Sequence, residues 1–458
     1  MKTITFEQVF EAVGGKIIQN GVIQEYNSLC TDTRKIKPGD IFVAIKGENF
    51  NGNEFALQAI KSGAALCVIE EVNFALENNK NPGIIEVKDT RKALLQLANY
   101  YRKMLKVKII GITGSTGKTS TKDLTAAALS ARYKVFKTKG NFNNEIGLPL
   151  MLLSLDDSYD IAVLEMGMNN LGEIHRMAEA ALPNLALITN VGRTHIENLK
   201  TRGNILKAKL EITDFFDKES KLIINKDNDM LKAINNEEYG VITTGIENSA
   251  DYLAFDIILG DDYVKFKIFE KGIKYTEEFE IGVPGIHTVS NALLAIACAR
   301  SFGLEFKEIN EGFKSLEKTA MRLDIIKGSN YTIINDCYNA NPDSMKSGLD
   351  VLKNYKCEKR IAILGSMREL GEEGNSAHKE IGEYARACGI DILITLGEYN
   401  EDYKQGFGEN CYTFQDYEDA VNFAKTILKD KDAVIVKASR SMKFEKIVEK
   451  LKEDKGDL

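Results

Sequence analysis

The chain has 458 residues, too many for one core, since single hydrophobic cores stop growing near ~250–300 residues. Hydrophobic residues make up 44% and charged residues 28%, the balance of a globular protein and not of a disordered one. With 60 basic and 67 acidic side chains the formal charge is −7, which argues against nonspecific nucleic-acid binding, so no nucleic-acid partner is expected.

The longest apolar runs, such as 292–299, fall far short of the ~18 residues a membrane span needs. The N-terminus lacks the apolar stretch of a signal peptide. Seven scattered cysteines without a Cys-x-x-Cys pair suit neither a disulfide framework nor a structural zinc site. A soluble, cytoplasmic, multidomain protein is expected, with no membrane span and acting as a monomer.

In chain order, residues 1–104 mix short strands at 41–45, 65–69 and 84–87 with helices at 5–13 and 55–61. A longer helical pattern over 91–104 leaves this region. The apolar run 107–112 opens a second unit, because a glycine-rich turn and a helix follow it directly. Further apolar runs at 161–164, 186–188 and 222–224 are separated by helix-length segments. That alternation predicts a mostly parallel, doubly wound sheet. A third series at 331–334, 361–364, 390–396 and 433–436 repeats it. The reading is α/β throughout, in three domains: 1–104, 105–318 and 319–458. A charged amphipathic helix over 443–457 reads as a solvated face.

The strongest local signal is Gly111-Ile112-Thr113-Gly114-Ser115-Thr116-Gly117-Lys118-Thr119-Ser120, set between a buried strand and a helix. Glycines let the backbone curl so that successive N–H groups converge on an anion. The following helix adds its positive N-terminal end. Lys118 is placed to neutralise phosphates, and the Thr119 hydroxyl to meet magnesium. The common spacing puts a glycine where Ile112 stands; here Gly114 lies three residues before Gly117. Such a loop points to a nucleoside triphosphate and leaves the reaction open. Phosphoryl transfer also needs carboxylates for the metal. Glu165 follows the run 161–164, at a strand end where α/β sites collect their ligands. His195, one of four histidines, lies just past another strand end in Thr189-Asn190-Val191-Gly192-Arg193-Thr194-His195.

These motifs, in this order, resemble the Mur ligase family over most of the chain. The likeness runs through the phosphate loop, Asn141-Phe142-Asn143-Asn144-Glu145-Ile146-Gly147-x-Pro149, Leu164-Glu165-Met166-Gly167 and Ala208-Lys209-x-Glu211-Ile212. It continues through His287-x-x-Ser290-Asn291-Ala292-Leu293-x-Ala295 and Met321-Arg322-Leu323-Asp324. Within the family, the run Asp336-Cys337-Tyr338-Asn339-Ala340-Asn341-Pro342-Asp343-Ser344-Met345 is most similar to members that add D-alanyl-D-alanine to UDP-N-acetylmuramoyl-tripeptide. Residues 365–371 and 437–443 point the same way.

The resemblance implies a UDP-sugar-binding N-terminal domain, a central ATP-binding domain and a Rossmann-like C-terminal domain that binds nucleotide and the incoming dipeptide. It implies an ADP-forming amide ligation through an acyl phosphate, in cytoplasmic peptidoglycan precursor synthesis. ATP would lie on Gly114, Ser115, Thr116, Gly117, Lys118, Thr119 and Ser120, with Asn291 at the adenine and Arg322 and Asp336 reaching in from the C-terminal domain. Two magnesium ions are implied: one on Thr119 and Glu165, a second served by His195 and Lys209. An ammonium cannot ligate a metal, so the family pattern implies a carbamylated Lys209; read alone, that lysine is an ordinary solvated residue of the helical stretch 205–215. Lys118, Glu165, His195 and Lys209 are the implied catalytic set. The UDP-substrate would meet Asp32, Thr33, Arg34, Asn143 and Asn144, and the dipeptide Tyr338, Asn339, Asn341 and Ser344.

Two positions depart from the family pattern: Asn51-Gly52-Asn53 where Asp-Gly-His is common, and Ser366 where an aspartate commonly follows the glycine. The competing readings are a sister ligase adding a single amino acid, a folylpolyglutamate synthetase, a phosphate-loop NTPase switch and a catalytically silent scaffold. Whether lysine or diaminopimelate stands third in the tripeptide is open at this level.

Overall fold

The computed structural model of the protein describes residues 1–47, 50–75, 82–317, 319–328 and 330–452. Among these residues the strands form four sheets, of which three organise the α/β architecture and one is a small pairing of Ile4–Thr5 with Glu25–Tyr26. The first large sheet runs in the order Lys16–Gln19, Gly83–Glu86, Leu66–Ile69, Ile41–Val43, Leu29–Cys30, parallel except at its Lys16–Gln19 edge. Thr5 starts the first helix, Phe6–Val13, through a reciprocal capping box with Gln8.

Asp89 accepts from the Lys92 N–H and caps the helix Thr90–Lys103. This helix is the bridge to the next unit. Tyr101 Oη donates to Leu155 O at 2.6 Å, and Arg102 Nε donates to Ala181 O at 2.8 Å. A periodic face that looks local in sequence therefore docks the first sheet's unit onto the second.

The central sheet carries the phosphate loop. Its order is Ile273–Lys274, Val264–Glu270, Tyr252–Leu259, Gly240–Gly245, Lys221–Asn225, Leu185–Ile188, Lys108–Thr113, Ile161–Glu165, Val135–Lys137, with Phe279–Ile281 pairing Val264–Glu270. The six strands from Gly240–Gly245 to Val135–Lys137 are parallel, and the four between these two are the most buried. Lys108–Thr113 sits between two neighbours that follow it in sequence, so the loops after Thr113, Glu165 and Ile188 open at one crevice. That is the switch point where open α/β sheets bind ligands. Beyond the six strands, Tyr252–Leu259 joins Gly240–Gly245 in parallel and opens an extension over 252–281 whose remaining pairings are antiparallel, absent from the sequence reading. Its strands alternate buried and open residues, with Val264, Phe266 and Ile268 inward. They therefore lack the continuous apolar runs that mark strands buried on both faces.

The third sheet has the order Asp324–Lys327, Thr332–Asn335, Ala433–Lys437, Arg360–Gly365, Ile392–Leu396, Cys411–Phe414, parallel except at its first pair. The C-terminal helix covers Glu445–Lys452 and buries Ile447, Val448 and Leu451, so one face is packed rather than solvated. The expected continuation over 453–457, like the expected boundary residue Lys318, lies outside the described residues.

Candidate active site

The phosphate loop leaves Thr113 and enters the helix Lys118–Ser130 through two glycines in positive φ, Gly114 (152°) and Gly117 (79°). Neither tolerates a side chain. A Cβ on Gly114 would lie 1.8 Å from Thr189 Oγ1, and one on Gly117 would lie 2.8 Å from Asn291 Oδ1. The loop is held from the neighbouring strand end. The Ser115 and Thr116 N–H groups donate to Asn190 O and Oδ1 at 3.1 and 2.8 Å, and Gly192 N donates to Ser115 Oγ at 2.9 Å. Lys118 Nζ donates to Gly114 O at 2.8 Å, across the loop.

Two sequence-derived residues converge on Thr119, and a third holds one of them from the other side. Its hydroxyl donates to Glu165 Oε2 at 3.0 Å and accepts from Arg322 Nη2 at 3.1 Å. Asn143 Nδ2 donates to the other oxygen, Glu165 Oε1, at 2.8 Å. The Glu165 N–H donates to Thr138 Oγ1, which fixes the strand end and keeps the carboxylate buried. Arg322 also lies over the Tyr338 ring at 4.2 Å, and its Nε is buried without a partner, a donor left over for an anion. Asp336 accepts from the buried Lys437 ammonium at 2.6 Å, and the same ammonium donates to Asn339 O at 2.9 Å.

A hydroxyl and a carboxylate side by side at a phosphate loop form a hard-oxygen pair that fits magnesium, which keeps several waters and takes substrate phosphates as ligands. The described residues contain no cluster of three or more His, Cys, Asp or Glu side chains that could cage a metal alone. Lys209 is 1% exposed, so it is a core residue and not the solvated lysine that its helix suggests. Burial, and secondarily the Lys118 charge, push its pKa well below the ordinary lysine value. Among the described residues no acid lies within ion-pair distance of it. Burial likewise lowers Lys118, against the pull of Glu165. His195 takes left-handed backbone, φ 64°, at the start of the helix Ile196–Leu199. Its Nδ1 is 2.6 Å from Glu369 Oε2, and that contact holds the Glu369 carboxyl below its usual range.

Family models match the chain in three consecutive stretches: Mur ligase family, catalytic domain, over 25–102; Mur ligase middle domain over 112–299; and Mur ligase, glutamate ligase domain over 321–440. The chain is 36% identical over 456 residues to a Bacillus subtilis UDP-N-acetylmuramoyl-tripeptide–D-alanyl-D-alanine ligase, covering 98% of both proteins. The chain belongs to the Mur ligase family. A crystal structure of MurF from Acinetobacter baumannii superposes on this Mur ligase with a TM-score of 0.92 at 28% identity, covering 99% of each chain. The Thermotoga maritima MurF ligase, solved in complex with ADP, gives 0.84 at 25% identity over 93% of this chain and 97% of that one.

The remaining sequence-derived residues of this Mur ligase fall into two groups. Asn341 and Ser344 cap the helix Pro342–Asn354 reciprocally, and Asn341 Nδ2 also donates to Thr194 Oγ1 at 3.0 Å. Asn144 Oδ1 accepts from Gly147 N at 2.8 Å, so that oxygen is spent on the backbone. Asp32 caps the short helix Thr33–Lys35 and pairs Arg34, whose contacts pull the Asp32 carboxyl down to about 2. No hydrogen bond or ion pair among the described residues joins Asp32, Thr33 or Arg34 to the phosphate loop. At the departures, Asn53 Oδ1 accepts from Glu70 N at 2.7 Å, and Ser366 packs under Gly397, where a Cβ would lie 2.4 Å from Ser366 Oγ. Three residues of this crevice drew no role in sequence: Asn190, Glu369 and Lys437. Each stands at or just beyond a strand end, the signal that had singled out Glu165 and His195.

Proposed function

We propose that this chain is an ATP-dependent, ADP-forming ligase that joins D-alanyl-D-alanine to UDP-N-acetylmuramoyl-tripeptide in the cytoplasm. The observation that carries this reading is the likeness to a curated ligase of that name across 98% of both chains. All seven cysteines are free, which suits a reducing compartment. Among the described residues no helix is long and apolar enough to cross a membrane.

The chemistry activates a carboxylate, which is by itself a poor electrophile. The terminal carboxylate of the tripeptide attacks the γ-phosphorus of ATP, giving an acyl phosphate and ADP. The amine of the dipeptide then adds to the acyl carbon, loses a proton, and the tetrahedral intermediate expels phosphate. The protein's part is positioning and stabilisation of developing charge. The curled loop from Gly114 to Thr119 would cradle the phosphates, with Lys118 and Arg322 as their cations. Thr119 and Glu165 would hold one magnesium, and His195 with Lys209 would serve a second. Magnesium, when bound, neutralises phosphate charge and orients the transferring group.

Carbamylation gives Lys209 its role. The amine adds to carbon dioxide and releases a proton, turning a cation into a carboxylate-like ligand. A buried lysine beside another cation favours the neutral amine that this addition needs. We read the domains as 1–104 for the UDP-sugar, 105–318 for ATP, and 319–458 for nucleotide and dipeptide. Three separate large sheets support that division.

The test is phosphate release with ATP and magnesium, supplying UDP-N-acetylmuramoyl-tripeptide and D-alanyl-D-alanine singly and together. Release only with both, with a UDP-pentapeptide product, is expected, and running it with lysine- and diaminopimelate-containing tripeptides reads the third position. Release without the amine would favour an NTPase switch; no release with both would favour a sister ligase. Short-chain carboxylates are expected to rescue Lys209→Ala in part by occupying the carbamate's place.

A further inference from the structure

Two residues in left-handed backbone meet where the central and C-terminal units face each other: His195 and Glu369, each at φ 64°. L-residues adopt that region rarely. Nδ1 of His195 lies 2.6 Å from Glu369 Oε2, and the Glu197 N–H donates to the Glu369 carbonyl at 3.3 Å. The seam continues on both sides. Arg193 Nη2 donates to Glu380 at 2.7 Å, and Gly371 packs against Glu197. The loop that carries Glu369 is anchored from behind, with Met367 N donating to His378 Nε2 at 2.8 Å and Ser439 Oγ donating to Ser366 O at 2.7 Å. Glu369 is therefore presented to His195 by a well-held loop of the other unit.

We propose that Glu369 is the positioning residue for His195: its carboxylate takes the Nδ1 proton as a hydrogen bond and leaves Nε2 as the free ligand nitrogen. This deepens the ligase reading and rests on it. An imidazole nitrogen ligates only with its lone pair free, and the hydrogen bond made by the other nitrogen decides which one that is. The Nδ1 atom is close to the carboxylate but off the hydrogen-bond direction, without another partner. Contacts of this kind tighten when substrates close a site. Because the two residues belong to different units, the imidazole is oriented only when the C-terminal unit is seated. ATP is then spent only once the unit that brings the amine is in place.

The test uses the full-length protein labelled with 15N-histidine. Only four histidines occur, so their ring signals can be separated, and His195→Gln assigns the one in question. The expected signal is the Nδ1–H tautomer in the wild type and in Glu369→Gln, whose amide oxygen still accepts. Glu369→Ala is expected to lose that preference. In the ligase assay Glu369→Ala is expected to raise the magnesium concentration for half-maximal rate and to lower kcat by about 10–100-fold. Glu369→Gln should recover most of the loss, and the KM for the UDP-tripeptide should stay within about twofold. Circular dichroism and thermal unfolding verify that both variants fold. An unchanged His195 tautomer in folded Glu369→Ala overturns the proposal. Equal losses in the two variants with unchanged magnesium dependence also overturn it. The tautomer measurement needs no substrate, so a chain that ligates nothing would sink the ligase reading while the contact is still judged separately.

Discussion

Acidification should unfasten the loop that carries Glu369, because His378 is buried neutral beneath it. His378 is 0% exposed, accepts from Met367 N at 2.8 Å through Nε2, and has Nδ1 2.6 Å from Gly374 O. Nε2 is thus the acceptor, and a proton added there would face the Met367 N–H head on. Burial pushes the pKa from 6.5 down to about 4. The unfolded chain takes up this proton at a higher pH than the folded one. The stability is therefore complete above pH 6.5 and is lost as pH falls from 6.5 toward 4. At 1.36 kcal/mol per pKa unit the whole loss is about 3 kcal/mol, of which about 2 kcal/mol is gone at pH 5. Urea unfolding of the wild type and His378→Gln from pH 7.5 to 4.5, with hydrogen exchange at the Met367 amide, reads it. Carboxylates titrate alike in both proteins, so the difference isolates this ring. The wild-type advantage should shrink by those amounts; a difference that stays flat across the range refutes the reasoning.

Lys118→Ala is expected to lower the ligase rate by about 10²–10³, the cost of one charge-stabilising donor, and an unchanged turnover would remove the phosphate loop from the mechanism. Gly114→Ala puts a Cβ 1.8 Å from Thr189 Oγ1 at φ 152°, so it should abolish nucleotide binding by calorimetry at a stability cost of about 1–3 kcal/mol. Nucleotide affinity at the wild-type level would contradict the cradle. Lys437→Met leaves the Asp336 carboxylate without its buried cation and should destabilise the chain by about 3 kcal/mol, the low end for a broken buried pair because Asp336 keeps some solvent. The double change with Asp336→Asn should recover part of that loss in urea unfolding; additive losses would show that the two groups are not coupled.

Much of this site is local, and local patterns are written in sequence. The phosphate loop needs φ > 0 at Gly114 and Gly117, a constraint on backbone sterics that glycine meets and that a reader can see. Continuous apolar runs marked the most buried parallel strands, such as Ile161–Glu165 and Leu185–Ile188, because a strand buried on both faces has no polar side to show, whereas the partly open parallel strands Val135–Lys137, Gly240–Gly245 and Cys411–Phe414 gave no such run. The half-buried antiparallel strands over 252–281 carry a weaker, alternating signal and were not seen. Residue roles that depend on what lies opposite were hidden for a different reason. Lys209 sits in a helix with the composition of a solvated one, and only tertiary burial makes it a core lysine with a depressed pKa. Glu369 is 174 residues from His195 in sequence, and no spacing rule connects them. Their meeting is set by how two separately folded sheets face each other, and that is decided by the summed contacts of an interface rather than by any one segment.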